Sequence, residues 1–263
     1  MFENTPSHVQ QQYADKTLNW CSSDSEERFT ANLNSSDTLR LLVLNGWIDS
    51  DHPRTKLTYE FNSQGFRSVP KELRRPYCGV TRGIAVFGCS FTTGIGLPAY
   101  ELYHYYLGLQ IKLPVDNFGV LGASNGLMFR LAQYWLPVLK PHLVVLQTTF
   151  KERFEIINQD NVSNVMSPQW KEITTQSAFR NWWFTDTNSI VDQQRNKLAI
   201  QHLCHQLDIP LFVIDVEDFR NPVNGLSRDL DHSGPLNHQQ VADQLCEQIH
   251  AHPRFRVLKD IIP

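Results

Sequence analysis

The sequence has no excess of basic residues and no long apolar run, and each shortage excludes a class of protein. Its 263 residues include 24 Lys and Arg against 27 Asp and Glu, a formal net charge of -3. This charge does not favour binding to the phosphate backbone of a nucleic acid, so we expect no nucleic-acid partner. No apolar segment approaches the roughly 20 residues that span a bilayer, so we expect no membrane partner. The opening residues also lack the basic and apolar stretches of a secretory signal.

Cysteine is scarce as well, and its distribution argues against two kinds of stabilising site. The five cysteines are scattered, odd in number and nowhere spaced as Cys-x-x-Cys, which indicates neither a zinc site nor a disulfide framework. We therefore expect no metal and a reducing, cytoplasmic location. Hydrophobic residues make up 41% of the chain, enough to build a core and to exclude global disorder. No pattern indicates an oligomeric state.

Short apolar runs alternate with helical patterns between residues 83 and 250. Runs typical of buried strands lie at 84–87, 115–118, 143–146 and 211–214. Helices are predicted at 98–111, 127–139, around 199–207, and from Asn237 with Gln240 as half of a capping box. This alternation predicts an α/β fold with a central parallel sheet.

The segment before this pattern is more irregular. It is polar at its start, with a short strand predicted at 57–61 and a tight turn at 62–67. We therefore divide the chain into an irregular N-terminal extension, residues 1–80, packed on a core of residues 81–263. In the core, active groups are expected beyond the carboxyl ends of the parallel strands.

The loop after the first of these strands contains Ser90 between two glycines, at 88 and 94. A P-loop is excluded because no Lys closes the segment, and the hydrolase elbow Gly-x-Ser-x-Gly fails because Thr92 replaces its second glycine. Residues 94–99 match the looser dinucleotide pattern Gly-x-Gly-x-x-Ala, but too far beyond the strand to be more than chance. Ser90 is then either a turn residue or a nucleophile.

A second group of polar residues lies just before the last predicted helix. Asp229 and His232 are three residues apart in a turn-rich loop. A carboxylate can hold an imidazole by one ring nitrogen and leave the other as a base, which a serine hydroxyl needs to become nucleophilic. Solvated loops often contain Asp-x-x-His, but here the first strand of the core also ends at a serine. Ser90, His232 and Asp229 are therefore candidate catalytic residues.

Three blocks in this order resemble the SGNH, or GDSL-type, esterase family over about residues 59–245. Residues 88–90 look like the first block, where the family usually reads Gly-Asp-Ser, residues 117–122 like the second, and residues 229–232 like the last. The segment at 62–67 is similar to one that often precedes the first block. The resemblance implies a flavodoxin-like three-layer α/β/α sandwich and ester hydrolysis without a cofactor.

The resemblance also implies a role for each matching residue. Ser90 would be the nucleophile, His232 the general base and then acid, and Asp229 the carboxylate that orients the imidazole. The backbone N–H groups of Ser90 and Gly122 would form the oxyanion hole, where losing one donor costs about 10²–10³ in rate. The substrate would be a small ester, with an O-acyl carbohydrate among the candidates.

The chain departs from the family in two places. Cys89 replaces the Asp of the first block, and the Gly-x-Asn expected after the strand at 143–146 is absent. Aligning on that strand places Thr149 at the Gly position and Lys151 at the Asn position. Thr149, Lys151 and Arg153 are therefore candidates to supply a donor or to bind a substrate anion.

The missing Asn leaves an alternative function open, that of a non-catalytic protein on the same scaffold that binds a glycan or acts in an assembly. A flavin or nucleotide binder is a third hypothesis from the sheet pattern alone, but the sequence lacks a convincing phosphate-binding loop.

Other conspicuous side chains have simple structural explanations. Cys89 is expected to be a small buried residue rather than a reactive thiol. His238 is expected on the surface of the last helix, and Asp231 in solvent. The aromatic residues 182–184 either line an acyl or sugar pocket or pack under an insertion at 150–187.

Overall fold

The computed structural model describes residues 10–48, 57–75, 82–157, 163–166, 182–183, 186–220 and 225–256. The strands are β1 (Thr17–Leu18), β2 (Tyr59–Glu60), β3 (Ile84–Gly88), β4 (Val115–Gly119), β5 (Leu143–Thr148), β6 (Phe154–Ile157), β7 (Ser163–Met166) and β8 (Leu211–Asp215). The helices are α1 (Glu26–Leu33), α2 (Ser36–Leu44), α3 (Ser90–Thr93), α4 (Tyr103–Ile111), α5 (Asn125–Leu139), α6 (Asp186–Gln206), α7 (Pro235–Ala251) and α8 (Pro253–Arg256). Turns of 3-10 helix lie at Gln11–Tyr13, Lys71–Leu73, Ala99–Glu101 and Val216–Phe219.

Four parallel strands in the order β4-β3-β5-β8 form the central sheet. β3 lies in the middle, so Ile84 is paired with Val115 on one side and Leu143 on the other. Numbered by their sequence within this sheet, the strands run 2-1-3-4, which is the flavodoxin-like order. The four apolar runs therefore predicted the strands correctly, and the parallel sheet is confirmed.

Helices cover both faces of this sheet. α4 packs against α7, and α5 packs against α6. The chain moves to one side of β3 to form β4 and then back across it to form β5. Because such crossovers are right-handed, α4 and α5 lie on opposite faces. The result is the predicted three-layer α/β/α sandwich, and β3 and β5 are buried along their whole length.

The helix α4 begins later than the sequence predicts. α4 starts at Tyr103, not at Pro98, because Leu102 has an extended backbone with ψ near 147°. This residue separates α4 from the 3-10 turn Ala99–Glu101. An extended residue cannot continue a helix, so the predicted single helix is two short elements.

The last large helix begins earlier than predicted. α7 starts at Pro235, where a proline at the first position loses no helical hydrogen bond. Its N-cap is Gly234, which has no side chain that could cap the helix. The capping box predicted from Asn237 and Gln240 is therefore wrong, since both residues already lie inside the helix.

The N-terminal segment contains regular elements that the sequence analysis did not locate. The Ser25 side chain caps α1 by accepting the N–H of Arg28 at 3.1 Å, and Glu26 and Glu27 complement the helix dipole. β1 and β2 pair antiparallel. Of the strand predicted at 57–61, only the two residues of β2 form a strand. The domain boundary predicted between 80 and 81 falls outside the described residues and stays a prediction.

None of the helices in the described ranges could cross a membrane. Cys21, Cys89, Cys204 and Cys246 are free thiols. Cys78 and the opening residues 1–9, in which no secretory signal was predicted, lie outside the described residues. The cytoplasmic location stays a prediction.

Candidate active site

Ser90 is the first residue of α3, the single helical turn that follows the central strand β3. Cys89, just before it, has an extended backbone, so the chain turns directly from strand to helix. The turn ends at Gly94, whose φ of +81° lies in the left-handed region that glycine adopts without strain. Ser90 is thereby held at the carboxyl end of β3, beside the point where the strand order reverses and where ligands of such sheets bind.

Gln147 in β5 fixes the backbone that leads to the serine. Its Oε1 accepts hydrogen bonds from the N–H of Cys89 at 3.0 Å and from the Thr92 hydroxyl at 3.0 Å. Its Nε2 donates to the Thr148 carbonyl at 2.7 Å, and the side chain is fully buried. The sequence analysis missed Gln147. The available signal was a polar residue continuing a buried strand, because a buried amide must find partners.

Asp229 and His232 lie in the loop that precedes α7. The N–H of Ser227 donates to the carbonyl of His232 at 3.0 Å, and the N–H of Leu230 donates to the carbonyl of Ser227 at 3.0 Å. Leu230 is left-handed, with φ of +57°. These features close a tight turn, which places the Asp229 and His232 side chains next to each other.

The structure brings Ser90, His232 and Asp229 into one line of hydrogen bonds. His232 Nε2 lies 2.7 Å from Ser90 Oγ, across 142 residues of sequence. His232 Nδ1 lies 2.8 Å from Asp229 Oδ2. Because a carboxylate only accepts, Nδ1 carries the proton and Nε2 faces the hydroxyl as an acceptor. The Phe91 ring packs 4.7 Å from the imidazole, centroid to centroid, and limits its rotation.

The carboxylate of Asp229 is buried and accepts five hydrogen bonds. Oδ1 accepts the Ser227 hydroxyl at 2.6 Å and the N–H groups of Asp231 and His232, each at 3.1 Å. Oδ2 accepts His232 Nδ1 and the Ser23 hydroxyl, the latter at 2.6 Å. Burial alone would raise the pKa of Asp229, but hydrogen bonds and charge from His232, aided by Ser227 and Ser23, outweigh it and hold this pKa well below its ordinary value.

The two predicted oxyanion donors lie at the same edge of the sheet. Ser90 opens a helix, so its N–H has no helical acceptor, and no acceptor within the described ranges takes it. Gly122 follows β4, the neighbour of β3. A Cβ at Gly122 would meet no described heavy atom within 4 Å. The Ser90 side chain itself is largely covered, since the residue is 7% exposed.

The three candidate residues after β5 share this edge but differ in their contacts. The Thr149 N–H donates to Asn125 Oδ1 at 3.0 Å, and its carbonyl accepts Asn125 Nδ2 at 3.2 Å. Arg153 donates to Thr149 Oγ1 at 3.0 Å and packs over the Phe150 ring at 4.9 Å. Lys151 is half-buried. The backbone N–H of Thr149 is thus engaged in holding α5 to β5, a role of Asn125 that the sequence analysis also missed.

One prediction for this region is wrong. His238 is buried rather than on the surface, because the first turn of α7 packs against α4, and its Nδ1 accepts the N–H of Tyr103 at 3.1 Å. Burial, together with electrostatic repulsion from His104, His232 and Arg67, lowers the pKa of His238 to about 3. Cys89 is buried and Asp231 is exposed, both as predicted.

Asp229, Asp231 and His232 place possible metal ligands within 4.8 Å of one another. The Asp229 and His232 atoms, however, already bond to each other and to Ser90, and Asp231 lies 3.6 Å from Arg28 in solvent. These side-chain atoms are therefore better suited to the hydrogen bonds that they make with one another and with Ser90 than to binding a cation.

A cavity of about 400 Å³ lies at the amino end of α5. It is lined by Ser124, Gly126, Phe154, Glu155, Trp182, Trp183, Asp192, Arg195 and Asn196. Trp183 is buried and donates to the Glu152 carbonyl at 2.9 Å, whereas Trp182 is exposed. Phe184 and most of the insertion at 150–187 lie outside the described residues. Two of the three predicted aromatic residues therefore line a cavity.

Comparisons with known proteins give a limited likeness. No protein-family model and no curated protein matches the sequence. A lipolytic protein of the G-D-S-L family from Desulfitobacterium hafniense is 14% identical, with a TM-score of 0.35, over 64% of this chain and 99% of its own. An acetyl xylan esterase from Butyrivibrio proteoclasticus is 12% identical, with a TM-score of 0.38, over 65% and 64%. A lipase/acylhydrolase from Enterococcus faecalis is 16% identical, with a TM-score of 0.35, over 65% and 96%.

Proposed function

We propose that the protein is a serine hydrolase of the SGNH type, which cleaves a small ester or transfers its acyl group without a cofactor. The observation that carries the proposal is the hydrogen-bond line of 2.7 Å from Ser90 Oγ to His232 Nε2 and 2.8 Å from His232 Nδ1 to Asp229 Oδ2. A nucleophile, a base and a carboxylate that orients the base are the parts required for acyl transfer by a hydroxyl group.

The side chains of Ser90, His232 and Asp229 have different roles in the proposed reaction. Ser90 Oγ attacks the ester carbonyl carbon while its proton passes to His232 Nε2. The bond from that carbon to the alcohol oxygen then breaks, and His232 returns the proton to the departing alcohol. Water or another acceptor, activated by His232 in the same way, releases the acyl group from Ser90. Asp229 stays ionised and stabilises the imidazolium that forms in both steps.

The N–H groups of Ser90 and Gly122 are the proposed oxyanion hole. The lack of a helical acceptor for the Ser90 N–H, and the position of Gly122 just after β4, the neighbour of β3, support this role. At the position of the family's third donor, an Asn side chain, this chain has Lys151, and the N–H of Thr149 is engaged by Asn125. With one donor fewer, we expect acylation slower by about 10²–10³ than in a site with three donors.

The proposed substrate class is argued from the charges that follow β5 and from the aromatic cavity at the amino end of α5. Lys151 and Arg153 follow β5, and their positive charges favour a substrate with an anionic group. The cavity at the amino end of α5 combines the exposed ring of Trp182 with polar side chains of Asp192 and Asn196. Aromatic surfaces with a few polar groups suit a sugar ring, so we propose an O-acyl carbohydrate, with Thr149, Lys151 and Arg153 on the substrate side.

The decisive experiment uses the variant Ser90→Ala. We expect it to lose both labelling by a fluorophosphonate and turnover of a short-chain aryl ester, because Ser90 is the one described hydroxyl that bonds to the imidazole ring of His232. The matched control is Cys89→Ala, which removes a buried thiol next to the nucleophile and should still label. Undiminished labelling of Ser90→Ala would contradict the proposal.

The non-catalytic alternative is favoured by one observation, the missing third donor. Wild-type protein that neither labels nor hydrolyses a panel of esters, yet binds a sugar in calorimetry, would support that alternative.

A further inference from the structure

The N-terminal segment reaches the carboxylate of the hydrogen-bond line. Ser23 Oγ lies 2.6 Å from Asp229 Oδ2, across 206 residues of sequence. Oδ2 is also the atom that bonds to His232 Nδ1. Within the described ranges, Ser23 and His232 are the two donors to this oxygen. The hydroxyl therefore acts on the same atom that orients the imidazole.

Ser23 is held in place by the turn that contains it. The N–H of Cys21 donates to the Asp24 carbonyl at 2.8 Å, and the N–H of Asp24 donates back to the Cys21 carbonyl at 3.1 Å. Ser22 is left-handed, with φ of +57°. Ser23 is half-buried at the tip of this turn, so its side chain is presented to the 225–234 loop by a fixed backbone.

The residue after Ser23 ties the turn to the residue before Asp229. Asp24 accepts two hydrogen bonds from Arg228, Nε at 2.8 Å and Nη2 at 2.6 Å. Both side chains are almost fully buried. Arg228 also donates to the Asn19 carbonyl at 2.8 Å and lies 4.0 Å over the Trp20 ring. A bidentate pair of this kind fixes both position and orientation.

The buried pair of Asp24 and Arg228, which we call the clamp, is itself anchored to the nucleophile side of the site. The Tyr59 hydroxyl donates to Asp24 at 2.5 Å and accepts the N–H of Gly96 at 2.8 Å. The N–H of Arg228 donates to the Gly96 carbonyl at 3.0 Å. The segment after Ser90, the segment before Asp229 and the turn around Ser23 are therefore one connected hydrogen-bonded unit.

We propose that Ser23 is a positioning residue for the reaction, a hydroxyl that completes the Ser90–His232–Asp229 line from outside the sandwich. The inference rests on the proposed function. Ser23 holds Oδ2 of the carboxylate in the direction of His232 Nδ1 and does not touch the substrate. Without its hydroxyl the carboxylate keeps the three bonds at Oδ1 but loses the second restraint on Oδ2, so the imidazole is less well aimed at Ser90 Oγ.

The test compares Ser23→Ala with Ser25→Ala. Both variants remove a hydroxyl from the same short segment, but the Ser25 side chain caps α1 and does not approach Asp229. We expect Ser23→Ala to lower kcat on an aryl ester about tenfold with KM unchanged, the loss of one charge-assisted hydrogen bond. Ser25→Ala should keep kcat and lose about 2–4 °C in Tm, as for a lost helix cap.

A conservative variant separates positioning from stability. Ser23→Thr keeps a hydroxyl, and we expect it to recover most of the kcat lost in Ser23→Ala, whatever its Tm. A kcat of Ser23→Ala equal to that of Ser25→Ala would overturn the role of Ser23 while leaving the proposed function intact. Wild-type protein without fluorophosphonate labelling or ester turnover would overturn the proposed function, and the role of Ser23 with it.

Discussion

The two halves of the candidate site are held by different kinds of structure. Ser90 is positioned by the central sheet, through a strand end, a single helical turn and the neutral side chain of Gln147. Asp229 and His232 are positioned by a loop that depends on charged partners from a distant part of the chain, Asp24 above all. The nucleophile thus belongs to the core of the sandwich, whereas the acid–base pair depends on a contact between the sandwich and the N-terminal segment.

Because of this difference, we expect substitutions in the two halves of the site to lower stability by different amounts. Neutral hydrogen bonds in a close-packed core are individually modest, about 0.5–1.5 kcal/mol each. A buried ion pair is different, because removing one partner leaves an uncompensated charge in a low-dielectric environment. Substitutions on the nucleophile side should therefore cost less stability than substitutions in the clamp around Arg228.

The largest effect is expected from Asp229→Asn. The amide offers the wrong partner to His232 Nδ1, which favours the wrong tautomer and leaves Ser90 without a base. By analogy with other Ser-His-Asp sites, we expect kcat to fall by about 10⁴. Turnover of an aryl ester by purified protein measures it. The control is Asp231→Asn, an exposed neighbour that should stay within a factor of three of wild type by the usual tolerance of surface positions; activity of Asp229→Asn above a tenth of wild type would count against the assignment.

The clamp itself should show the largest change in stability. Asp24→Ala leaves the guanidinium of Arg228 buried without its carboxylate, and we expect the free energy of unfolding to drop by about 3–5 kcal/mol. Replacing both members with Asp24→Ala and Arg228→Met should restore much of it, because neither charge of the pair is then left buried without its partner. Urea denaturation of wild type and of these two variants measures this; a loss below about 1 kcal/mol for Asp24→Ala alone would mean that the halves do not differ as described.

Gln147→Leu probes the nucleophile side in the same assay. The variant removes the acceptor of the Cys89 N–H and of the Thr92 hydroxyl, both buried. Leaving these donors unsatisfied should cost about 1–3 kcal/mol in the free energy of unfolding. A loss smaller than that of Asp24→Ala would support the difference in stability between the two halves, and a larger loss would contradict it.

The smallest expected effect is a dependence of stability on pH that comes from the carboxylate of Asp229. The folded pKa of Asp229 lies below its unfolded value of about 3.8, so its ionised form stabilises the fold above that pH. This contribution is lost as the pH falls through the folded pKa. We expect the difference in unfolding free energy between wild type and Asp229→Asn to shrink as the pH falls from about 5 to below about 4.

Gln147→Leu is the control for this titration, because it removes no charge. Its difference from wild type should stay constant over the same range of pH. A difference for Asp229→Asn that also stays constant would show that the carboxylate is no more stable in the fold than in the unfolded chain.

Local patterns in the sequence were enough for the sheet, whereas the line of three side chains was predicted from local patterns together with the resemblance to a known family. Strands covered on both faces appear as continuous apolar runs, so β3 and β5 could be located without other information. Active groups are expected beyond the carboxyl ends of parallel strands, which pointed to Ser90. The spacing of Asp229 and His232 suggested a carboxylate that holds an imidazole.

The supporting residues could not be predicted in this way. Ser23 and Asp24 stand in a polar stretch that has no periodicity, and their partners Asp229 and Arg228 are more than 200 residues away. Gln147 and Asn125 were missed for another reason, since a buried amide is recognised only when its partners are known. The start of α1 did have a local signal, Ser25 before two glutamates, which the analysis did not use.

The 206-residue separation between Ser23 and Asp229 has a consequence for the growing polypeptide. A ribosome releases the earlier residues first, so Ser90 and most of the sheet leave it well before His232 does. Throughout that interval the serine hydroxyl has no base, and the turn at 21–24 has no carboxylate to hold. A nascent chain, or a fragment cut before Asp229, should therefore be chemically inert toward esters even after its strands have paired.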